Sequence, residues 1–188
     1  MRPQSSCGRF SFWMPVSVNV FLVGPMGSGK SAVGRQLARL LALEFVDADA
    51  EIERRTGVDI GYIFEREGEP GFRQREAAVI DELSSRAGIV LATGGGAVLD
   101  PRTRDRLRER GRVVYLRASV NQQLMRTRHS SHRPLLANVD PRGTLERLMA
   151  ERAPLYEGLA AVSVDTDGRK VRAVVEEIVG RLCPGTKA

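Results

Sequence analysis

The stretch "GPMGSGKS" at residues 24–31 constrains the fold more than any other part of this chain. Gly24, Gly29, Lys30 and Ser31 satisfy the pattern G-x4-G-K-[ST] of a phosphate-binding loop. An apolar run precedes the loop and an amphipathic segment follows it, which predicts a buried strand that leads through the loop into a helix. Glycines let backbone N–H groups turn towards phosphate oxygens, Lys30 can reach the β- and γ-phosphates, and the Ser31 hydroxyl can ligate Mg²⁺. The motif therefore predicts binding of ATP or GTP.

Apolar or β-branched runs alternate with helical patterns along the rest of the chain. Strands are predicted at 18–24, 43–48, 88–93, 112–117 and 160–166, and helices at about 29–42, 49–56, 72–86, 101–110, 119–128, 141–157 and 168–182. Strands separated by helices pair in parallel through right-handed crossovers. The pattern predicts an α/β fold, a three-layer α/β/α sandwich around a five-stranded parallel sheet. The length suits one domain, which we expect over residues 18–183.

The first 17 residues, "MRPQSSCGRFSFWMPVS", begin basic and turn apolar, but no small-x-small cleavage site follows them. We expect a disordered N-terminal extension over 1–17, or upstream sequence before a true start at Met14. Cys7 and Cys183 lie near opposite ends without a partner at metal-ligand spacing, as is typical of free thiols in a reducing cytoplasm. No run of 18 apolar residues occurs, so no membrane span is expected.

The chain is basic, with 29 Lys and Arg against 23 Asp and Glu, a net charge of +6. Three interpretations remain open: a soluble basic enzyme, a nucleic-acid binder, or arginines that line an anionic pocket. The basic residues are interleaved with acids, as in "RDRLRER" and "LERLMAER", and no aromatic-rich RNA-binding signature accompanies them. Charge alone does not choose between the three.

A pair of aspartates follows the second predicted strand, where the run "LEFV" ends in "DAD". Ligands bind at the carboxyl ends of strands in open parallel sheets, so Asp47 is predicted to hold Mg²⁺, directly or through water. Asp49 is predicted to point towards the group that accepts the phosphoryl. The alternative is that one of the two aspartates caps the helix "AEIERRTG".

Two further segments have compositions that suggest a site. "TGGGA" places Gly94, Gly95 and Gly96 after a buried strand, which favours either close approach of the backbone to a ligand or a tight strand-to-helix turn. "RHSSHRPLLANVD" at 128–140 is longer than an ordinary connection and is predicted to be a lid or a plain surface loop.

Taken together, "GPMGSGKS", "DAD", "GFRQRE", "TGGGA", "RPLL" and "RAPLY", in this order and at these intervals, resemble the shikimate kinase family over about residues 18–182. The resemblance implies a P-loop kinase of the nucleoside-monophosphate-kinase type with sheet order 2-3-1-4-5. It implies a cytoplasmic monomer that uses ATP and Mg²⁺ to phosphorylate the 3-hydroxyl of shikimate, a step towards aromatic amino acids, with no nucleic-acid or membrane partner. The alternatives are a gluconate-type kinase of the same fold and a non-catalytic nucleotide-binding or RNA-associated P-loop protein.

The resemblance also implies roles for single residues. Lys30, Asp49 and Arg133 would be catalytic, with Asp49 a candidate general base and Arg133 in a lid at about 126–140. Arg73 and Arg152 would clamp the shikimate carboxylate, and the helices at about 49–86 would form the substrate-binding part. The implied contacts are with the nucleotide through Gly27, Ser28, Gly29, Lys30, Ser31, Ala32, Arg126, Arg133 and Arg169, with shikimate through Asp49, Arg73, Gly94, Gly95, Gly96 and Arg152, and with the metal through Ser31 and Asp47.

Overall fold

The computed structural model describes residues 18–128 and 140–182. The predicted extension at 1–17, both cysteines, and most of the predicted lid with Arg133 lie outside these residues. The predictions made for them therefore stay predictions.

Five short strands form one sheet in which every pair is parallel and the order is β2-β3-β1-β4-β5. The strands are β1 Asn19–Val23, β2 Glu44–Asp47, β3 Ile89–Ala92, β4 Gly111–Arg117 and β5 Val162–Asp165. All residues of β1 and β3 are buried, as expected for central strands that are covered on both faces. The predicted five-stranded parallel sheet and its order are confirmed.

Helices cover both faces of the sheet. They are α1 Lys30–Leu41, α2 Ala48–Thr56, α3 Ile60–Ser84, α4 Pro101–Arg110, α5 Val120–Thr127, α6 Pro141–Leu159 and α7 Val171–Leu182, with one 3₁₀ turn at Ala97–Leu99. One apolar cluster joins alternate strand residues to α2, α3, α4 and α6, and a second joins the other strand residues to α1 and α7. The two clusters lie on opposite faces, which confirms the three-layer sandwich.

The third helix begins earlier than the sequence pattern predicts. The prediction started it at 72, whereas α3 begins at Ile60, where the side chain of Asp59 caps it by accepting from the Tyr62 N–H at 2.8 Å. Gly68, with φ 70° and ψ −179°, interrupts the helix, and Pro70 opens the second half. Glycine and proline close together in a sequence usually indicate a loop, so the sequence pattern did not predict the helical turns between Ile60 and Gly68. The 3₁₀ turn was also not predicted.

The parallel arrangement brings the functional motifs to one edge of the sheet. The phosphate loop follows β1, "DAD" overlaps the end of β2, and "GGG" follows β3, and these three strands are neighbours. Their carboxyl ends therefore share an edge, where open α/β sheets bind ligands. Within 18–128 and 140–182, no helix is long and apolar enough to cross a membrane.

Candidate active site

The phosphate loop joins β1 to α1, and its last glycine makes the turn into the helix. Gly29 is the N-cap of α1 with φ 91°, a left-handed conformation that glycine adopts without strain. The Lys30 ammonium group donates to the carbonyls of Gly24 at 2.7 Å and Pro25 at 2.8 Å, so it lies across the loop. The loop thus presents a helix N-terminus and a lysine at one place, the combination that binds anionic phosphates.

Asp47 has two roles at the end of β2. Its Oδ2 accepts a hydrogen bond from the Ser31 hydroxyl at 2.6 Å, while its Oδ1 accepts from the N–H groups of Asp49 at 3.1 Å and Ala50 at 3.4 Å. It therefore caps α2 and also faces the phosphate loop, so the capping and metal-site interpretations are compatible. Mg²⁺ prefers one or two protein oxygens together with phosphate oxygens and water, and the Ser31–Asp47 pair fits that requirement. No cluster of three or more His, Cys, Asp or Glu side chains that could hold a metal occurs among the described residues.

Two buried carboxylates meet beside the glycine triplet. Oδ1 of Asp49 and Oε1 of Glu76 are buried, and neither has a hydrogen-bond partner in the described part of the chain. A Cβ on Gly94 would lie 3.1 Å from Oδ1 of Asp49 and would overlap Oε1 of Glu76. Burial raises the pKa of Asp49 to about 7, and the charges of Glu76 and Asp47 add to that shift. Asp49 therefore titrates near neutrality, where a proton acceptor is most useful.

Arg73 is held in place by two carboxylates of its own helix. It donates to Oε2 of Glu76 at 2.6 Å and to Oε1 of Glu69 at 2.8 Å. Its guanidinium packs against Gly96, where a Cβ would overlap it. The spacing of four residues to Glu69 and three to Glu76 is the helical signal that could have identified both glutamates from the sequence.

Arg152 is a buried cation on α6. The residue is only 5% exposed, and its Nε has no hydrogen-bond partner among residues 18–128 and 140–182. Burial raises the pKa of Glu76, while the positive charges of Arg73 and Arg152 act in the opposite direction, so Arg152 lies near Glu76. A buried charge with unused donors is unfavourable unless an anion satisfies it, so this position suits an anionic ligand.

These groups line one cavity of about 540 Å³. The predicted site residues among its lining are Gly27, Gly29, Lys30, Ser31, Ala32, Asp47, Asp49, Arg73, Gly94, Gly95, Gly96, Arg126 and Arg152. The sequence did not single out Glu76, Phe64 and Phe72, which α3 adds to the same lining. Residues 94–96 form one side of the cavity and are called the glycine wall below.

Two predicted nucleotide contacts within the described residues are not part of that lining. The Ser28 side chain is buried inside the phosphate loop, where its hydroxyl has no described partner. Arg169 lies after β5 and donates to the carboxylate of Glu177 and to the carbonyl of Asp165. Arg126, in contrast, reaches the cavity and donates to the carbonyl of Gly27 at 2.9 Å and to that of Thr166 at 2.8 Å.

Comparison with known proteins gives a consistent result over most of the chain. The family model described as shikimate kinase matches residues 26–183. A shikimate kinase of Halorhodospira halophila is 60% identical over 163 residues, which is 87% of this chain and 92% of that relative. A shikimate kinase of Francisella tularensis subsp. holarctica is 56% identical over 161 residues, or 85% of this chain and 92% of the relative.

Solved structures agree with the sequence relatives. A shikimate kinase from Acinetobacter baumannii in complex with shikimate superposes with a TM-score of 0.88 at 46% identity, covering 92% of this chain and 96% of that one. A gluconokinase from Sinorhizobium meliloti has a TM-score of 0.60 at 22% identity, which shows a shared fold alone. The family match, the relatives and the structural likeness all cover the segment that carries the cavity, and the chain therefore belongs to the shikimate kinase family.

Proposed function

We propose that this chain transfers the γ-phosphoryl group of ATP to the 3-hydroxyl of shikimate. The observation that carries the proposal is one cavity that combines a phosphate loop with a buried arginine and a carboxylate that titrates near neutrality. Membership of the shikimate kinase family supports both the donor and the acceptor. The A. baumannii relative was solved with shikimate, and its fold matches this one closely.

The acceptor side of the cavity is suited to a carboxylated ligand. Shikimate carries one carboxylate, and arginine binds carboxylates through paired N–H groups in a planar fork. The Nε of Arg152 is an unused buried donor, and Glu69 and Glu76 fix the plane of Arg73 from two sides. We therefore assign the carboxylate to Arg152 and Arg73.

The acceptor hydroxyl is assigned to Asp49 and the glycine wall. The ionised Asp49 accepts a hydrogen bond from the 3-hydroxyl and orients its oxygen for attack on the γ-phosphorus. As the new P–O bond forms, the bond from the γ-phosphorus to the β,γ-bridging oxygen breaks and ADP is released. The hydroxyl proton passes to Asp49, whose pKa of about 7 allows both protonation states near neutrality. Gly94, Gly95 and Gly96 line the same cavity, and we assign the other ring hydroxyls to their backbone.

The donor side consists of the phosphate loop and the start of α1. The backbone of residues 27–32 surrounds the phosphates, and Lys30 neutralises charge that develops on the β- and γ-phosphate oxygens. Ser31 and Asp47 are the residues that would hold Mg²⁺, which when bound neutralises and orients the phosphate oxygens.

Three arginines complete the proposed nucleotide site. Arg126 reaches the cavity, and contact of Arg169 with the nucleotide requires it to leave Glu177. Arg133, which lies outside the described residues, is proposed to close over the phosphates. Closure would exclude water and so limit hydrolysis of ATP.

The experiment that tests the proposal is a coupled ADP-release assay with shikimate, gluconate and nucleoside monophosphates as separate acceptors. We expect rapid ADP release with shikimate and little above background with the others. Faster release with gluconate would assign the cavity to a gluconate-type kinase. ADP release that does not depend on shikimate would refute the proposal.

We also propose that the protein is a single-domain cytoplasmic monomer over 18–183 that acts without a nucleic-acid or membrane partner. The family resemblance and the mixture of acids with basic residues support this. Sedimentation velocity should give the mass of one chain. Binding of RNA that weakens steeply with salt would contradict the proposal, because such a slope measures phosphate contacts.

A further inference from the structure

Tyr156 is a buried tyrosine that no step of the proposed reaction uses, although it contacts the wall of the cavity. Its hydroxyl donates a hydrogen bond to the carbonyl of Gly95. We propose that Tyr156 is a positioning residue, whose hydrogen bond fixes the glycine wall relative to the phosphate loop and to Arg152. This inference rests on the proposed function, because it assigns Tyr156 a role in the same reaction.

The position of Gly95 explains why one hydrogen bond affects both sides of the site. A Cβ on Gly95 would lie 3.5 Å from the backbone nitrogen of Met26, 3.6 Å from the carbonyl oxygen of Gly24 and 3.7 Å from the Tyr156 hydroxyl. Gly95 is therefore packed between the phosphate loop and Tyr156. Its neighbours in the wall face Asp49 and Arg73, so a shift of Gly95 would move the surface against which the acceptor binds.

Tyr156 is itself held rigidly, which a positioning residue requires. The residue is 0% exposed, and its ring stacks on that of Tyr115 in β4 with centroids 5.0 Å apart and planes inclined by 26°. A stacked ring with two side-chain torsions holds its hydroxyl in one place. Burial raises the pKa of Tyr156, so the hydroxyl keeps its proton and stays a hydrogen-bond donor.

The same side chain also orients the helix that carries Arg152. Arg152 precedes Tyr156 by four residues, so both lie on one face of α6. Pro154 lies between them and has no N–H for the helix ladder, so α6 is weakened at this turn. A small cavity of about 10 Å³ is lined by Arg152, Tyr156 and Met26, which shows that this turn packs directly behind the phosphate loop. The hydrogen bond from Tyr156 to Gly95 thus connects the weakened turn of α6 to the glycine wall.

The test compares Tyr156→Phe with Tyr115→Phe. The first removes the hydroxyl that bonds Gly95, and the second removes a hydroxyl from the same stacked pair without touching that bond. Kinetic constants for shikimate and ATP are measured below the unfolding temperature of each variant. We expect Tyr156→Phe to lower kcat/KM for shikimate about tenfold, because the Gly95 carbonyl loses the donor that fixes the glycine wall. KM for ATP, and all constants of Tyr115→Phe, should stay within about twofold of wild type.

Other outcomes of these measurements would contradict either the role of Tyr156 or the proposed function, and the two cases can be told apart. A Tyr156→Phe variant that unfolds at lower temperature but keeps wild-type constants would show that Tyr156 contributes packing alone, and would overturn the inference. Equal losses in the two variants would show that the effect does not depend on the hydrogen bond to Gly95, and would also overturn the inference. A wild-type protein without shikimate-dependent ADP release would refute the proposed function itself, whereas an active wild type with an unaffected Tyr156→Phe would refute only this inference.

Discussion

Asp49 is a residue at which catalysis and stability are expected to conflict. Its Oδ1 is buried without a described partner, and burial together with the charges of Glu76 and Asp47 raises its pKa from 3.8 to about 7. Asparagine has the same shape without the charge. We therefore expect Asp49→Asn to be more stable than wild type at pH 8, although it loses most of its turnover.

The size of the stability gain follows from the pKa shift. Raising the pKa of Asp49 from 3.8 to about 7, at 1.36 kcal/mol for each pH unit, corresponds to ~4 kcal/mol of unfavourable free energy when Asp49 is fully charged. The residue as a whole keeps some exposure to solvent, so we expect a measured gain of about 2 kcal/mol. Between pH 3.8 and about 7 the native state holds a proton on Asp49 that the unfolded state has lost, so the contribution of Asp49 to the free energy of unfolding of the wild type falls as pH rises.

Urea unfolding of the nucleotide- and metal-free proteins at several pH values measures this effect. The difference between Asp49→Asn and wild type should grow from pH 4 to pH 7 and stay constant above about pH 7. Asp105→Asn is the matched control, because the Asp105 side chain is 66% exposed on α4 and its replacement should change the free energy of unfolding by less than about 0.5 kcal/mol. A variant that is less stable than wild type at pH 8, or a difference independent of pH, would refute the reasoning.

Four other substitutions test separate parts of the site. Lys30→Ala should lower kcat at least about a hundredfold, since charge on the transferred phosphoryl loses its stabilisation; a loss below about tenfold in steady-state assays would contradict this. Asp47→Asn should raise the Mg²⁺ concentration for half-maximal rate about tenfold, and an unchanged Mg²⁺ titration would remove Asp47 from the metal site. Arg152→Ala should raise KM for shikimate about 10- to 100-fold while the Kd for ATP stays constant, and an unchanged KM would exclude the clamp. In urea unfolding, Gly94→Ala should cost about 1–3 kcal/mol through overlap with a buried carboxylate, whereas Gly158→Ala, with open space around it, should be neutral or stabilising; equal effects would argue against the overlap.

The fold could be predicted from the sequence largely because its signals are local. Runs such as "VFLV" in β1 and "IVLA" in β3 are buried on both faces, and the phosphate loop fixes what lies before and after it. Prediction failed at α3, where the backbone is non-helical at Gly68 alone and the helix resumes with Pro70 in its first turn. A break of that length has the same local pattern as a loop, and only packing of Ile63 and Phe72 into one apolar cluster shows that both halves belong to the same layer.

The sequence predicted which residues lie at the strand ends that form the site, but not the contacts that these residues make with one another. Asp47 could be placed at a strand end, but the structure was needed to show that one oxygen caps α2 while the other accepts from Ser31. The glycine triplet suggested close approach of a ligand, whereas two of its glycines also leave room for Arg73 and Glu76. Such contacts join residues far apart in the chain, and no spacing within the sequence encodes them.

The identity of the phosphorylated product tests the central claim most directly. After complete reaction of ATP with shikimate, phosphorus–proton NMR correlation should show one phosphate coupled to the proton on C3 of the shikimate ring, in equal amount to the ADP formed. Inorganic phosphate as the main product, or a phosphate bonded at another ring position, would contradict the assignment of the 3-hydroxyl to Asp49 and the glycine wall.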